Sequence, residues 1–137
     1  VLSTLHTTNA ASSITRMVAS FPTDYQNQVR IQLASSFLGI VTQKLVPSEK
    51  YGRLPAAEIL VMTPTIQNMI LNNSPESEIY QQIIKGREHY GMRTMNMSLV
   101  ELFKEKKITK DIALNASPNQ DEFERNLKGN YLGTGSI

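Results

Sequence analysis

Residues 1–10, Val1-Leu2-Ser3-Thr4-Leu5-His6-Thr7-Thr8-Asn9-Ala10, constrain this chain more than any other stretch. Five residues of strand character run into a histidine flanked by hydroxyls, and a helical pattern begins at once. The pattern predicts a strand over 1–5 and a helix capped by Thr7 or Thr8. In open α/β sheets a strand end beside a fresh helix N-terminus is where ligands are held. His6 is therefore read in two ways, as a ligand-facing residue or as an ordinary histidine at a strand end. A strand starting at residue 1 would want covered faces and neighbours on both sides, which leads us to expect a piece of something longer.

Composition bounds the rest. With 137 residues, 40% apolar and 19% charged, the chain is globular in type and long enough for one domain. No run of ~18 apolar residues is present, so no transmembrane segment is expected, nor is a signal peptide. The absence of cysteine excludes disulfides, thiol chemistry and a cysteine-held metal, and predicts an unstapled intracellular domain. His6 and His89 are not in an HExxH spacing, so no metal site is expected.

The formal charge of +2 is too small to argue nucleic-acid binding. Its distribution is uneven: Lys85, Arg87, Arg93, Lys104, Lys106, Lys107 and Lys110 crowd one stretch, with Asp121, Glu122 and Glu124 soon after. Solvation or intramolecular pairing is the expected fate of these charges, ahead of a phosphate or acidic-surface contact.

Helical spacing continues through Ile14, Met17 and Val18, and after Pro22 through Tyr25, Val29, Leu33 and Phe37. Ile31 falls off that stripe and suggests cover on more than one side. Leu38 to Val46, a turn over 47–52 and Leu54 to Met62 read as a hairpin. Afterwards helices dominate. Thr63-Pro64 and Ser74-Pro75 give a hydroxyl cap followed by proline, and Ser117-Pro118-Asn119-Gln120 offers a capping box. Thr109 is placed to cap another short helix, and Met92, Met95, Leu99, Leu102 and Phe103 form a core stripe. The glycine-bearing end, 129–137, is expected to be a flexible tail. No GxxxxGK[ST] phosphate loop occurs.

Taken in order, these residues resemble the C-terminal part of the type IV pilus retraction ATPases, the PilT family of twitching-motility motors within the secretion ATPase superfamily. Ser3-Thr4-Leu5-His6-Thr7 resembles the family's histidine box. Phe21-Pro22 with Gln26, Gln28, Arg30 and Leu33-Ala34 is similar to the next helix and its lead-in. Residues 39–45 followed by Ala57-Glu58-Ile59-Leu60 resemble the paired strands, and Gly91-Met92-Arg93-Thr94, then Ser98-Leu99 and Leu102, the glycine-methionine segment.

The resemblance implies an α/β fold (α+β as an isolated piece): the C-terminal fragment of a RecA-like P-loop ATPase core, with a β-hairpin and a mostly helical C-terminal bundle. The expected division is 1–62, motor core including the hairpin; 63–128, helical region; 129–137, tail. The parent would be a homohexameric ATPase of the bacterial cytoplasm, peripheral to the inner membrane through a platform protein of the pilus machinery, using ATP and Mg2+ to power retraction. The chain alone, without a phosphate loop, is expected to be inactive, to bind no cofactor tightly and to self-associate without forming the ring. His6 would sense nucleotide near the γ-phosphate, with Thr4 and Thr7 around it. Arg16, Arg30 and Glu58 are implied as an interface or structural charge network, with Arg30 an inter-helix or subunit pair before a phosphate contact and Glu58 a structural partner of an arginine.

One segment departs from the pattern. Where the family carries Ala-Ile-Arg-Asn-Leu-Ile-Arg-Glu, residues 65–72 read Thr-Ile-Gln-Asn-Met-Ile-Leu-Asn, keeping the apolar spacing and losing both arginines and the glutamate. The absence of a four-cysteine zinc insert favours the retraction branch over the extension and type II secretion ATPases, which stay as an alternative. A second alternative is a non-enzymatic interaction module using the basic helical surface. A membrane-peripheral adaptor is disfavoured, since no segment offers a large lipid-facing apolar face.

Overall fold

The computed structural model describes residues 1–131. The order of elements is α1 (Ala10–Ala19), α2 (Thr23–Ser36), β1 (Gly39–Ser48), β2 (Gly52–Val61), α3 (Pro64–Leu71), α4 (Glu76–Lys85), α5 (Arg87–Tyr90), α6 (Met95–Lys104), α7 (Lys110–Ala116) and α8 (Gln120–Leu127). The fold is mixed α/β, a small hairpin among helices. The last residues of the expected tail, 132–137, lie outside the described residues.

Two compact units interleave along the chain: Val1–Thr42 with Ile59–Met92, and Gln43–Glu58 with the residues from Arg93 onward. The long hairpin explains the interleaving, because its basal half belongs to the first unit and its distal half to the second.

In the first unit, α1 packs on α2 and α4, and α2 on α3. Ala10, Ala11, Ile14, Ala34, Leu60, Ile66, Ile70, Ile79, Ile83 and Met92 form its core. Ile66 and Ile70 are buried one helical turn apart on α3, so the segment that loses the family's charges keeps its packing face. Gly39 is required by close approach, since a Cβ there would lie 2.7 Å from the Leu60 carbonyl oxygen.

In the second unit, α6 packs against α7 and α8 around Val46, Ala56, Leu99, Val100, Ile108, Ala113 and Phe123. The hairpin's distal half is tied to these helices by polar contacts. Lys44 Nζ donates to the Ala116 carbonyl at 3.0 Å, Ser48 Oγ to the Lys107 carbonyl at 2.6 Å, and the Ala57 amide to Ser98 Oγ at 3.0 Å.

Several expectations are corrected. Residues 1–5 form no strand. The sheet among the described residues is the two-stranded hairpin, and an extended segment without ladder partners leaves Val1, Leu2 and Leu5 exposed. Asn9, not Thr7 or Thr8, caps α1, its Oδ1 accepting the Ser12 amide at 2.8 Å. Asn accepts that bond as well as a hydroxyl does and sits at the position with extended backbone. Ser74 caps nothing. Its amide instead closes α3 by bonding the Met69 carbonyl at 2.9 Å, after Asn73 turns into the left-handed region at φ 53°. Pro75 is left at the cap of α4. Ile31 is 45% exposed, so α2 is covered on one side only. The strands extend to Ser48 and from Gly52, whose φ of +73° suits a glycine directly after the three-residue loop 49–51. Thr63 and Thr109 cap as expected, each accepting the amide three residues on, whereas α8 is capped by Asn119 through the Glu122 amide and not by Ser117 of the expected capping box, whose hydroxyl accepts the Asn119 amide instead.

Candidate functional site

A cleft of about 330 Å³ in the first unit is lined by His6, Thr7 and Thr8 before α1, by Ser12, Thr15 and Arg16 on α1, and by Glu76 at the start of α4. Its size is at the low end of small-ligand pockets. Ser12, Thr15 and Arg16 share one helical face because they are spaced three and four apart. Chain reversal at Asn9 lays residues 6–8 beside that face.

The hydroxyl protons of this cleft can be assigned from their partners. Ser13 Oγ donates to the Asn9 carbonyl at 2.8 Å, which uses its one proton. The Thr7 hydroxyl, 2.5 Å from Ser13 Oγ, must then be the donor in that pair. Thr7 is thus committed inward. Ser12 Oγ also donates to the Asn9 carbonyl, at the longer 3.0 Å, where the Ser13 amide competes at 3.2 Å. Three donors on one carbonyl exceed its two lone pairs, so Ser12 is the hydroxyl most easily released.

Arg16 Nη1 donates to the His6 carbonyl at 2.9 Å. A guanidinium carries five N–H donors, so it retains others for an anion. The cleft therefore offers a guanidinium, an imidazole, the Thr8 hydroxyl and a releasable Ser12 hydroxyl, with the Glu76 carboxylate as the opposing acceptor. That donor set suits a phosphate-type oxygen held on one wall.

The structure brings His6, Thr7 and Arg16 together. Thr4 is exposed in the lead-in segment and does not line the cleft. Arg30 lies half-buried on α2 with no acidic partner within 4 Å among the described residues. Glu58 is 2% exposed on β2, in the second unit, so these residues do not converge on the cleft. The sequence reading missed Ser12, Thr15 and Glu76 as site residues. The spacing of Ser12 and Thr15 to Arg16 was a usable signal, whereas Glu76 is brought in by the packing of α4 and has no local one.

The basic stretch is partly neutralised where it stands. Arg93 pairs with Glu101 at 2.6 Å, Lys107 with Glu105 at 2.6 Å and Lys110 with Glu124 at 2.7 Å. Among the described residues no cluster of His, Asp or Glu could hold a metal, and no helix is long and apolar enough to cross a membrane.

No protein-family model matches the chain. It is 37% identical over 99 residues to the type IV pilus retraction ATPase PilT of Pseudomonas aeruginosa, covering 72% of this chain and 28% of that protein. It is 30% identical over 122 residues to a twitching motility protein of Neisseria gonorrhoeae, covering 88% of this chain and 32% of that one. A crystal structure of the pilus retraction motor PilT with bound ADP superposes with a TM-score of 0.76 at 37% identity, over 88% of this chain and 33% of that one. The chain thus spans about a third of the length of these relatives.

Proposed function

We propose, from the premise that the chain is homologous to the PilT-type twitching-motility ATPases, that it forms the nucleotide-sensing part of an ATP-driven type IV pilus motor. The retraction branch is the preferred assignment. In this reading the whole protein is a homohexamer that uses ATP and Mg2+, working against a platform protein of the pilus machine at the inner membrane. The observation that carries it is the cleft in which His6 and Arg16 share one wall with the hydroxyls of α1.

His6 can donate to a terminal phosphate oxygen or to its attending water, and Arg16 can add a charge-assisted bond. These 137 residues contain no GxxxxGK[ST] stretch to cradle the β- and γ-phosphates. The cleft's part is to read the far end of the nucleotide and pass its state to α1. Loss of one charge-assisted contact formed mainly in the transition state removes roughly 1.5–3 kcal/mol, an order of magnitude or two in rate.

The test is steady-state ATPase and retraction measurement on the full-length protein carrying His6→Ala. The expected result is turnover lowered ten- to a hundredfold with assembly intact. Unchanged turnover would leave His6 a structural histidine and remove this reading. The 137-residue chain on its own is expected to show no turnover above background.

A further inference from the structure

The lead-in segment, residues 1–7, has neither ladder nor helix to place it. Its position near α1 therefore depends on side-chain tethers. Two are present, and both come from one turn of α1. Ser13 holds the Thr7 hydroxyl at 2.5 Å, and Arg16 reaches back ten residues to hold the His6 carbonyl at 2.9 Å. That carbonyl belongs to the peptide plane between His6 and Thr7. Fixing it restricts rotation about the His6 Cα–C bond, and with the Thr7 anchor it sets the direction in which the imidazole leaves the backbone.

We infer that Arg16 is a positioning residue for His6: its guanidinium fixes the His6 peptide, and its remaining N–H groups face the same cleft as the second arm on a phosphate-type anion. The second half of this inference rests on the reading of the cleft as phosphate-facing; the first half stands on the hydrogen bond alone. A single guanidinium then couples anion binding to the placement of the lead-in segment. A planar fork can hold a carbonyl with one N–H and an oxyanion with others at once, whereas a lysine ammonium can serve both only by sharing one point charge. Arg16→Lys should therefore preserve part of the tether and less of the coupling. Glu76 lies on the same cleft and is not ion-paired to Arg16 within 4 Å among the described residues; as a like charge it opposes an anion there, so the anion needs the guanidinium to be held.

The experiment uses the 137-residue chain, labelled with 15N, as wild type, Arg16→Leu, Arg16→Lys and His6→Ala. Without ligand, amide order parameters at His6 and Thr7 should fall in Arg16→Leu from near ~0.85 to below ~0.6 and recover in part in Arg16→Lys. The amides of residues 11–18 should keep their wild-type values. Inorganic pyrophosphate is then titrated while the His6 ring nitrogens are followed, distinguished from those of His89 by their absence in His6→Ala. The apparent Kd should weaken at least tenfold in Arg16→Leu and less in Arg16→Lys. Unchanged order at His6 and Thr7 in Arg16→Leu would overturn the positioning role. Equal pyrophosphate affinity in wild type and Arg16→Leu would overturn the second arm. Loss of order in Arg16→Leu with no wild-type response to pyrophosphate would uphold positioning and instead defeat the phosphate-facing reading. If Arg16→Leu disturbs α1 itself, the same comparison is decided between wild type and Arg16→Lys.

Discussion

The cleft of the first unit and the polar knot of the second use the same residue types to opposite ends. Around Asn96, which is fully buried, both ends of the amide are bonded within the protein. Its Nδ2 donates to the Asn119 carbonyl at 3.0 Å, its Oδ1 accepts the Ser117 hydroxyl at 2.6 Å, and Ser117 Oγ in turn accepts the Asn119 amide at 3.1 Å. Asn119 then caps α8 through the Glu122 amide at 3.0 Å. Around α1, by contrast, the imidazole of His6, the Thr8 hydroxyl and part of the Arg16 guanidinium remain directed at solvent. A satisfied buried network specifies structure, while an unsatisfied exposed one is available to a ligand. The difference separates polar residues that hold this protein together from those that can act for it.

The largest expected effect breaks the knot. Asn96→Ala leaves the Ser117 hydroxyl without its acceptor and the Asn119 carbonyl without its donor, both near the loop that joins α7 to α8. Two lost partners at about 1–3 kcal/mol each predict destabilisation of about 3 kcal/mol. Urea unfolding measures it, and a change under 1 kcal/mol would show that the network is dispensable. The matching change beside the cleft is smaller. Asn9→Ala deletes the α1 cap and should cost ~1 kcal/mol, a typical value for such a truncation. It also frees the Ser12 amide at the cleft's edge. His6→Ala completes the series, with a stability change within ~0.5 kcal/mol because the side chain is exposed and Arg16 holds the residue through its backbone carbonyl. A loss above 1.5 kcal/mol in the same unfolding assay would move His6 from the functional to the structural side.

How much of this could be read from the sequence depends on whether the signal was local. The hairpin, the caps at Thr63 and Thr109 and the α6 stripe through Met95 and Leu99 are local signals, and the structure holds them. His6 was singled out by the pattern of residues 1–10 and Arg16 through the resemblance, and the fold brings them to one cleft. Glu76 was not legible, because α4 packing on α1 is what delivers it. The strand expected at 1–5 failed for a physical reason: strand propensity in Val1, Leu2 and Leu5 yields a strand only where ladder partners exist. Asn96, whose neighbours lie more than twenty residues on, carried no signal either. Buried amides look like loop or surface residues until their partners are in place.

The smallest expected effect concerns a charge pair that belongs to neither set. Lys107 titrates above its ordinary 10.5, chiefly because Glu105 accepts its hydrogen bond and secondarily through that carboxylate's charge, with the Tyr51 phenolate adding to it and partial desolvation opposing. A cation whose folded pKa is raised contributes stability fully below its unfolded value, about 10.4, and loses it as pH rises through the folded one. The window therefore lies in strongly alkaline solution. At neutral pH the pair is fully formed but 40% and 55% exposed on its two sides, so water and salt screen it. Glu105→Gln should lower the Lys107 titration midpoint, followed by the 15N shift of its ammonium, and leave the urea midpoint at pH 7 within error. A clear loss of stability at pH 7 would mean that this surface pair acts like the buried knot around Asn96, and the line drawn between inward and outward polar groups would have to move to include it.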